Sequence, residues 1–174
     1  MIVNDTEKFE ILRKRSKKYA IAPEVESDEA SSEFLEFFLN GERYAVENIY
    51  VKEVYPVKNF TRIPCTPQFI LGVVNIRGDL ISVTDIRTFL NLKPGIITDS
   101  SKIIILSGKN MEFAIVVDDV AGISKIFLKT IDTFMTGFSE VTENFIKGVT
   151  PERLIILDGE KLLTDKRLIV NDTL

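Results

Sequence analysis

Residues 69–87 read FILGVVNIRGDLISVTDIR, and this stretch decides the fold. Two short apolar runs inside it have the length and composition of β-strands. They flank the triplet Arg77-Gly78-Asp79, in which a glycine stands where a turn requires a left-handed backbone. Asp85 directly precedes a further apolar segment, which is the position of a helix cap. The expected elements are a strand at Gly72–Ile76, a strand at Leu80–Thr84 and a short helix at Ile86–Leu92.

The pattern of this stretch recurs further along the chain, which indicates an internal repeat. FIKGV at 145–149 echoes FILGV at 69–73. Each repeat unit holds about five short strands and one short helix, the content of a small closed or nearly closed β-barrel. Barrels of this size bury little surface alone, so two barrels with a shared core are expected. The matched positions are Phe69 and Phe145, Asp85 and Asp158, and Tyr44 and Phe113.

The predicted fold class is therefore mainly β, with two tandem five-stranded barrels, short helices and an N-terminal helix. The barrels are expected at roughly residues 33–100 and 101–165. Asn40-Gly41, between two apolar runs, is the dipeptide preferred by two-residue hairpin turns. Pro56 places the third strand, at 50–57, near the edge of a sheet. Backbone geometry is the role expected of three glycines: Gly72, Gly78 and Gly148, the last being the counterpart of the first.

The first 32 residues differ in composition from this body. Met1–Pro23 carries six basic and three acidic residues, whereas Glu24–Glu33 carries five acidic residues and no basic one. Phe9, Leu12, Ser16 and Tyr19 stand at three- and four-residue spacing, which predicts a weakly amphipathic helix of about 14 residues. An acidic linker follows it. The sequence leaves open whether this segment is a solvated appendage or a helix that docks on the body or on a partner.

The amino-acid inventory excludes many enzyme classes. There is no histidine and one cysteine among the 174 residues. A Ser–His or Cys–His pair, a histidine-ligated metal site and an intramolecular disulfide are therefore excluded. The net charge of −4 argues against general nucleic-acid binding. No apolar run reaches the about 18 residues of a membrane-spanning helix, and a lone thiol without an export signal indicates the cytoplasm.

The remaining reactive residues also favour structural roles. Asp118 and Asp119 do not predict a metal site, because neighbouring strand residues point to opposite faces. Neither a metal nor a cofactor is predicted. Cys65, between two prolines, is expected to be a buried or half-buried thiol. Asp85, Asp118 and Asp158 would have to converge within about 10 Å to form the carboxylate pair of a hydrolase, and strand ends or helix caps explain them better.

The stretch 69–87 resembles the signature of CheW-type chemotaxis coupling proteins. In that family a Gly-Val-x-Asn-Leu-Arg-Gly run is followed, one strand later, by Val-x-Asp-Leu-Arg. Isoleucine replaces both leucines here, at Ile76 and Ile86. The resemblance extends over roughly 33–165. A CheW-like domain is therefore expected at 33–170, after an N-terminal helix and acidic linker at 1–32.

The resemblance implies two five-stranded SH3-like barrels packed through a common hydrophobic core. It also implies a non-enzymatic adaptor that couples the cytoplasmic tips of methyl-accepting chemoreceptors to the regulatory domain of a chemotaxis histidine kinase. Such a protein would work in cytoplasmic receptor arrays and would meet the membrane only through the receptors. A coupling protein of a non-flagellar pathway, such as pilus motility, is left open. A small carboxylate-dependent hydrolase is a more distant alternative.

The resemblance places four residues in the receptor-binding groove: Arg77, Val51, Glu53 and Ile123. Each has a structural alternative. Arg77 could brace an acid such as Asp85 or Glu53, and Glu53 could be a solvated charge on an edge strand. Val51 and Ile123 could simply be packed in the core. Val51 and Glu53 share one face of the third strand because strand side chains alternate. The faces that would bind the kinase are not predicted.

Overall fold

The computed structural model describes residues 30–57, 60–109, 111–133 and 137–168. The N-terminal helix and most of the acidic linker predicted for 1–32 lie outside the described residues. The strands are β1 Ser31–Leu39, β2 Glu42–Glu47, β3 Val51–Pro56, β4 Ile70–Ile76, β5 Asp79–Asp85, β6 Lys102–Ser107, β7 Glu112–Val117, β8 Asp119–Phe127, β9 Ile146–Val149 and β10 Ile155–Leu157. The helices are α1 Ile86–Phe89, α2 Glu140–Phe145 and α3 Gly159–Thr164.

The strands form two five-stranded sheets, which confirms the predicted fold class. Sheet I has the strand order β8-β1-β2-β10-β9, and sheet II has the order β3-β6-β7-β5-β4. The two orders are the same once the first repeat, β1 to β5, is aligned with the second, β6 to β10. The parallel pairs also match, since Ile156 lies opposite Ala45 and Val83 lies opposite Ala114. The internal repeat is thus present in three dimensions.

The leading hairpin of each repeat completes the sheet of the other repeat. Hairpin β1–β2 joins β8, β9 and β10 in sheet I, and hairpin β6–β7 joins β3, β4 and β5 in sheet II. The boundary predicted near residue 100 therefore does not separate the two sheets. A single residue, Asp118, connects β7 to β8, which is too short for the two-residue turn that a hairpin needs. The chain consequently passes into the other sheet.

The hydrophobic core is shared by the two sheets, as predicted. Period-two alternation on β7 shows how one strand serves two cores. Phe113, Ile115 and Val117 belong to a large cluster built from strands of both sheets and all three helices. Ala114 and Val116 point the other way, into a smaller cluster inside sheet II. A matching cluster inside sheet I contains Phe34, Ala45, Ile126, Leu154 and Ile156.

Several local predictions are confirmed and others are corrected. Asn40 and Gly41 both have positive φ, at 54° and 81°, as the hairpin turn requires. Strand β3 lies at an edge of sheet II. Helix α1 ends at Phe89 rather than Leu92 because Asn91 has a φ of 55°, which stops the helix. Cys65 is exposed, against expectation, because it lies in the irregular connection between β3 and β4.

Candidate functional site

The turn between β4 and β5 presents Arg77 to solvent. Arg77 has a φ of 56° and Gly78 a φ of 101°, so both turn residues take left-handed conformations. The Asn75 side chain closes the turn, since its Oδ1 accepts a hydrogen bond of 3.0 Å from Gly78 N. The Arg77 side chain is 73% exposed at this apex. Its guanidinium is therefore available to a partner.

Arg77, which follows the edge strand β4, is paired with Glu53 on β3, the other edge strand of sheet II. The distance between Arg77 Nη1 and Glu53 Oε1 is 2.9 Å. Tyr55, two residues along the same face of β3, donates its hydroxyl to Glu53 Oε2. This hydrogen bond is the main reason why the pKa of Tyr55 is raised. Of the two acids proposed to brace Arg77, Glu53 is the one that does so; both roles of Arg77, bracing and binding, remain compatible.

An apolar cavity of about 140 Å³ lies beside the ion pair, between the edge strands β3 and β4. The sequence did not predict this cavity. Side-chain alternation along β3, which puts Tyr55 on the face of Glu53, is the signal that pointed toward it. The cavity offers mostly hydrocarbon surface next to two charged side chains. Its lining residues are Tyr55, Pro56, Val74, Asn75, Ile76, Arg77 and Ile103.

Val51 and Ile123 occupy different surroundings from this pair. Val51 is half-buried at the start of β3 and packs against the large shared core. Ile123 lies on β8 at an edge of sheet I, with 58% of its surface exposed, so it is not a core residue. The structure thus pairs Arg77, in the turn after one edge strand of sheet II, with Glu53 on the other edge strand. Val51 lies against the shared core instead, and Ile123 lies on sheet I.

Gly72 and Gly148 lie at equivalent close approaches of the backbone. A Cβ at Gly72 would come within 2.2 Å of the Thr61 carbonyl oxygen, and one at Gly148 within 2.6 Å of the Asp132 carbonyl oxygen. Only glycine leaves room for these contacts, which join the connecting segments to β4 and β9. A side chain at either position would push the edge of its sheet open.

The carboxylates considered for hydrolysis are engaged in structural contacts. Asp85 caps α1 by accepting from Arg87 N at 3.1 Å, and it also accepts from Arg87 Nε at 2.9 Å. Asp118 accepts from Arg87 Nη1 at 2.7 Å. Asp158 caps α3 by accepting from Lys161 N. Each acid has a local structural role, which gives no support to the hydrolase alternative.

The described residues hold neither a metal-binding cluster nor a membrane-spanning helix. Within residues 30–57, 60–109, 111–133 and 137–168 no group of three or more Cys, Asp or Glu residues is arranged to hold a metal ion. In the same part of the chain, no helix is long and apolar enough to cross a membrane.

Comparison with known proteins connects this geometry to a family. The family model for the CheW-like domain matches residues 33–167. The chemotaxis protein CheW of Bacillus subtilis is 30% identical over 130 residues, which cover 73% of this chain and 83% of that protein. The chemotaxis protein CheW of Klebsiella aerogenes is 28% identical over 156 residues, covering 88% of this chain and 94% of that protein.

A solved structure agrees with the sequence comparisons. The crystal structure of the scaffolding protein TtCheW from Thermoanaerobacter tengcongensis superposes with a TM-score of 0.66 at 26% sequence identity. The superposition covers 74% of this chain and 90% of that one. The two-sheet fold of this chain and its matched family signature agree. The chain belongs to the CheW-like family of chemotaxis proteins.

Proposed function

We propose that the chain is a non-enzymatic adaptor that couples chemoreceptor cytoplasmic tips to the regulatory domain of a chemotaxis histidine kinase. Its membership of the CheW-like family supports a scaffolding role. The observation that carries the proposal is the place where the two edge strands of sheet II, β3 and β4, approach each other. An exposed arginine and an apolar cavity lie side by side there.

The chemistry of this site suits a protein partner. A guanidinium offers five fixed donors and binds carboxylates in a bidentate fashion. The cavity is close in size to the roughly 150 Å³ cavities that hold one small apolar group. A partner helix that presents an acidic side chain near an apolar one would use both features. The Arg77 guanidinium would then either leave Glu53 for the partner's carboxylate or donate to both carboxylates.

The receptor half of the proposal is tested with the variant Arg77→Glu. Truncation or reversal of a desolvated interfacial charge costs a few kcal/mol, so we expect receptor affinity to fall about tenfold or more. A calorimetric titration with a receptor cytoplasmic fragment measures it. The matched control is Arg153→Glu, because Arg153 is also exposed, has a φ of 61° and lies in the equivalent turn of sheet I. Equal affinities for a folded Arg77→Glu variant and the wild type would contradict the proposed contact.

The kinase half is tested separately with the regulatory domain of the kinase from the same cell. Saturable one-to-one binding with a negative heat-capacity change, the sign of apolar burial, is the expected result. A folded chain that fails to bind at high micromolar concentration would contradict coupling to that kinase. The Arg77→Glu variant is expected to keep kinase binding, since the contact is assigned to the receptor.

A further inference from the structure

The described chain passes between the two sheets at two places. The first crossover is residues 48–50, which lead from β2 in sheet I to β3 in sheet II. The second crossover is the single residue Asp118, which leads from β7 in sheet II to β8 in sheet I. The shared core packs the two sheets together, and the contacts at these two points add covalently anchored constraints on how the sheets are oriented.

Asp118 is bonded to both sheets at once. On the side of sheet II, its Oδ1 accepts from Arg87 Nη1 at 2.7 Å. On the side of sheet I, its Oδ2 accepts from Asn40 N at 2.6 Å, and its own backbone N donates to the Phe38 carbonyl at 3.0 Å. Asn40 is the turn of hairpin β1–β2. Arg87 follows β5. The second crossover is therefore a junction of three chain segments.

Arg87 is the centre of this junction and is fully buried. Its side chain is 1% exposed, and its Nε donates to Asp85 Oδ1 at 2.9 Å. The segment after α1 covers it closely, because a Cβ on Gly95 would lie 2.0 Å from Arg87 Nη1. Asn40 Nδ2 ties the same segment to the hairpin by donating to the Lys93 carbonyl at 2.7 Å.

A buried arginine is costly to desolvate, so packing alone does not explain it. The equivalent position in the second repeat shows that the fold does not need it there. Asp158 matches Asp85, so Glu160 matches Arg87, and Glu160 is exposed. The guanidinium instead does what a hydrocarbon cannot. Its planar fork holds two carboxylates from separate segments at fixed angles.

We propose that Arg87 is a positioning residue that locks the second crossover and thereby fixes the orientation of sheet I relative to sheet II. This structural role is inferred from the contacts around Asp118 alone and does not depend on what the protein binds. One consequence rests on the proposed function: Arg77 on sheet II and Ile123 on sheet I reach a partner in a single fixed arrangement.

The test measures the distance between the two sheets in the free protein. Cys65 is the one cysteine of the sequence, is exposed and follows β3 of sheet II, so it takes a spin label directly. Lys125→Cys, exposed on β8, supplies the second label on sheet I. Pulsed electron paramagnetic resonance then gives the distance distribution, which should be single and narrow.

Arg87→Met is expected to broaden or shift this distribution by several Å and to speed amide hydrogen exchange around Asn40 and Asp118. Arg87→Lys should recover the narrow distribution only in part, because an ammonium cannot hold both carboxylates in one plane. Arg43→Met is the control. Arg43 pairs with Glu36 inside sheet I, at 2.6 Å, and its loss should leave the distribution unchanged.

Asp118→Asn keeps the test decisive if Arg87→Met does not fold. It preserves the side-chain size and one acceptor oxygen, and it should broaden the distribution to a smaller extent. A narrow, unshifted distribution in a folded Asp118→Asn or Arg87→Met variant would overturn the proposal. No partner is present in this measurement, so its outcome is independent of the receptor and kinase titrations.

Discussion

The two crossovers do the same topological task with different chemistry. At the first crossover the ring of Tyr50 packs on Gly159, the first residue of α3, and the adjacent Glu47–Lys147 ion pair links two strands of sheet I at the surface. At the second crossover a buried guanidinium holds two carboxylates. The repeats that surround them are equivalent strand by strand. The molecule is thus symmetric in its backbone and asymmetric in what joins its halves.

This difference predicts different modes of failure. Apolar contacts lose stability in proportion to the area and volume that are changed. A buried charge network fails more abruptly, because the loss of one partner leaves the others desolvated and uncompensated. The second crossover should therefore be the more sensitive of the two, although fewer residues connect the strands there.

The largest effect is expected from Arg87→Met. The substitution leaves the Asp85 and Asp118 carboxylates without their shared partner. Breaking a buried pair in this way costs about 3–5 kcal/mol, and the lower end is expected because the Asp118 side chain is 31% exposed. Chemical denaturation with two spectroscopic probes measures the free energy of unfolding. A companion variant in which Arg87→Met is combined with Asp118→Asn should recover part of the loss. A loss below about 1 kcal/mol for Arg87→Met alone would place the charge network outside the set of stabilising contacts.

The next effect is expected at the first crossover, from Gly159→Ala. The new Cβ would lie 2.4 Å from Tyr50 Cδ2, so the ring has to move. Overpacking of this kind costs about 1–3 kcal/mol. Gly108→Ala is the matched control, since its nearest neighbour is a Leu163 methyl at 3.3 Å. Thermal unfolding of the single variants and of Gly159→Ala with Tyr50→Ala gives the coupling between the two residues. Additive losses in that cycle would show that the ring does not brace the crossover.

A smaller and pH-dependent loss of stability is expected from substitution of Glu36, which connects β1 to β8. Glu36 on β1 accepts hydrogen bonds from Ser124 on β8 and from Arg43. Burial alone would raise the pKa of Glu36. The two donors together lower the pKa by more than burial raises it, so it lies below its usual value. The resulting stabilisation is complete above the unfolded pKa of about 4.3 and is lost as the pH falls through the folded pKa.

Glu36→Gln should therefore be less stable than the wild type at pH 7 by about 1 kcal/mol, and the gap should close in acid below about pH 4. Urea denaturation at a series of pH values measures the gap. Ser124→Ala removes one of the two donors. Its difference in stability from the wild type should have the same sign as that of Glu36→Gln and should be smaller. A gap that stays constant from pH 7 to pH 3 would assign the effect to packing rather than to the charge.

The sequence predicted the secondary-structure elements better than it predicted which strands pair and which distant residues meet. The hairpin at Asn40-Gly41 and the cap at Asp85 depend on residues close in the chain, and both are present. The exchange of hairpins was not predictable, because β2 and β7 have similar apolar patterns and either could pair with β5 or β10. Burial of Arg87 was not predictable either, since its partner Asp118 is 31 residues away.

The candidate site shows the same limit. Alternation along β3 placed Glu53 on the face of Val51, and the turn placed Arg77 at an apex. Their ion pair was one of the alternatives considered, and it is present. The cavity beside it was not foreseen because two edge strands, β3 and β4, form it only when the sheet curves. Local geometry can be derived from spacing, but a concave surface depends on tertiary structure.

The smallest effect is expected from Lys147→Met at the first crossover. Lys147 Nζ lies 3.0 Å from Glu47 Oε1, but 42% of the lysine side chain is exposed. Exposed pairs contribute about 0.2–1 kcal/mol, and salt screens them. The loss should therefore be near the lower limit in about 50 mM salt and should vanish at about 500 mM, where the Debye length is only a few Å. Lys52→Met is the control for the loss of an exposed ion pair in general, because it breaks a comparably exposed pair with Glu112.

Salt also separates the two crossovers directly. The Arg87 guanidinium is buried beneath Gly95, although the Asp118 side chain is 31% exposed, so the loss from Arg87→Met should depend on salt far less than the loss from Lys147→Met. A large and salt-independent loss from Lys147→Met would show that a charge pair supports the sheet I side of the first crossover as well. The chemical difference between the two crossovers would then be smaller, and the packing of Tyr50 on Gly159 would share its role with this pair.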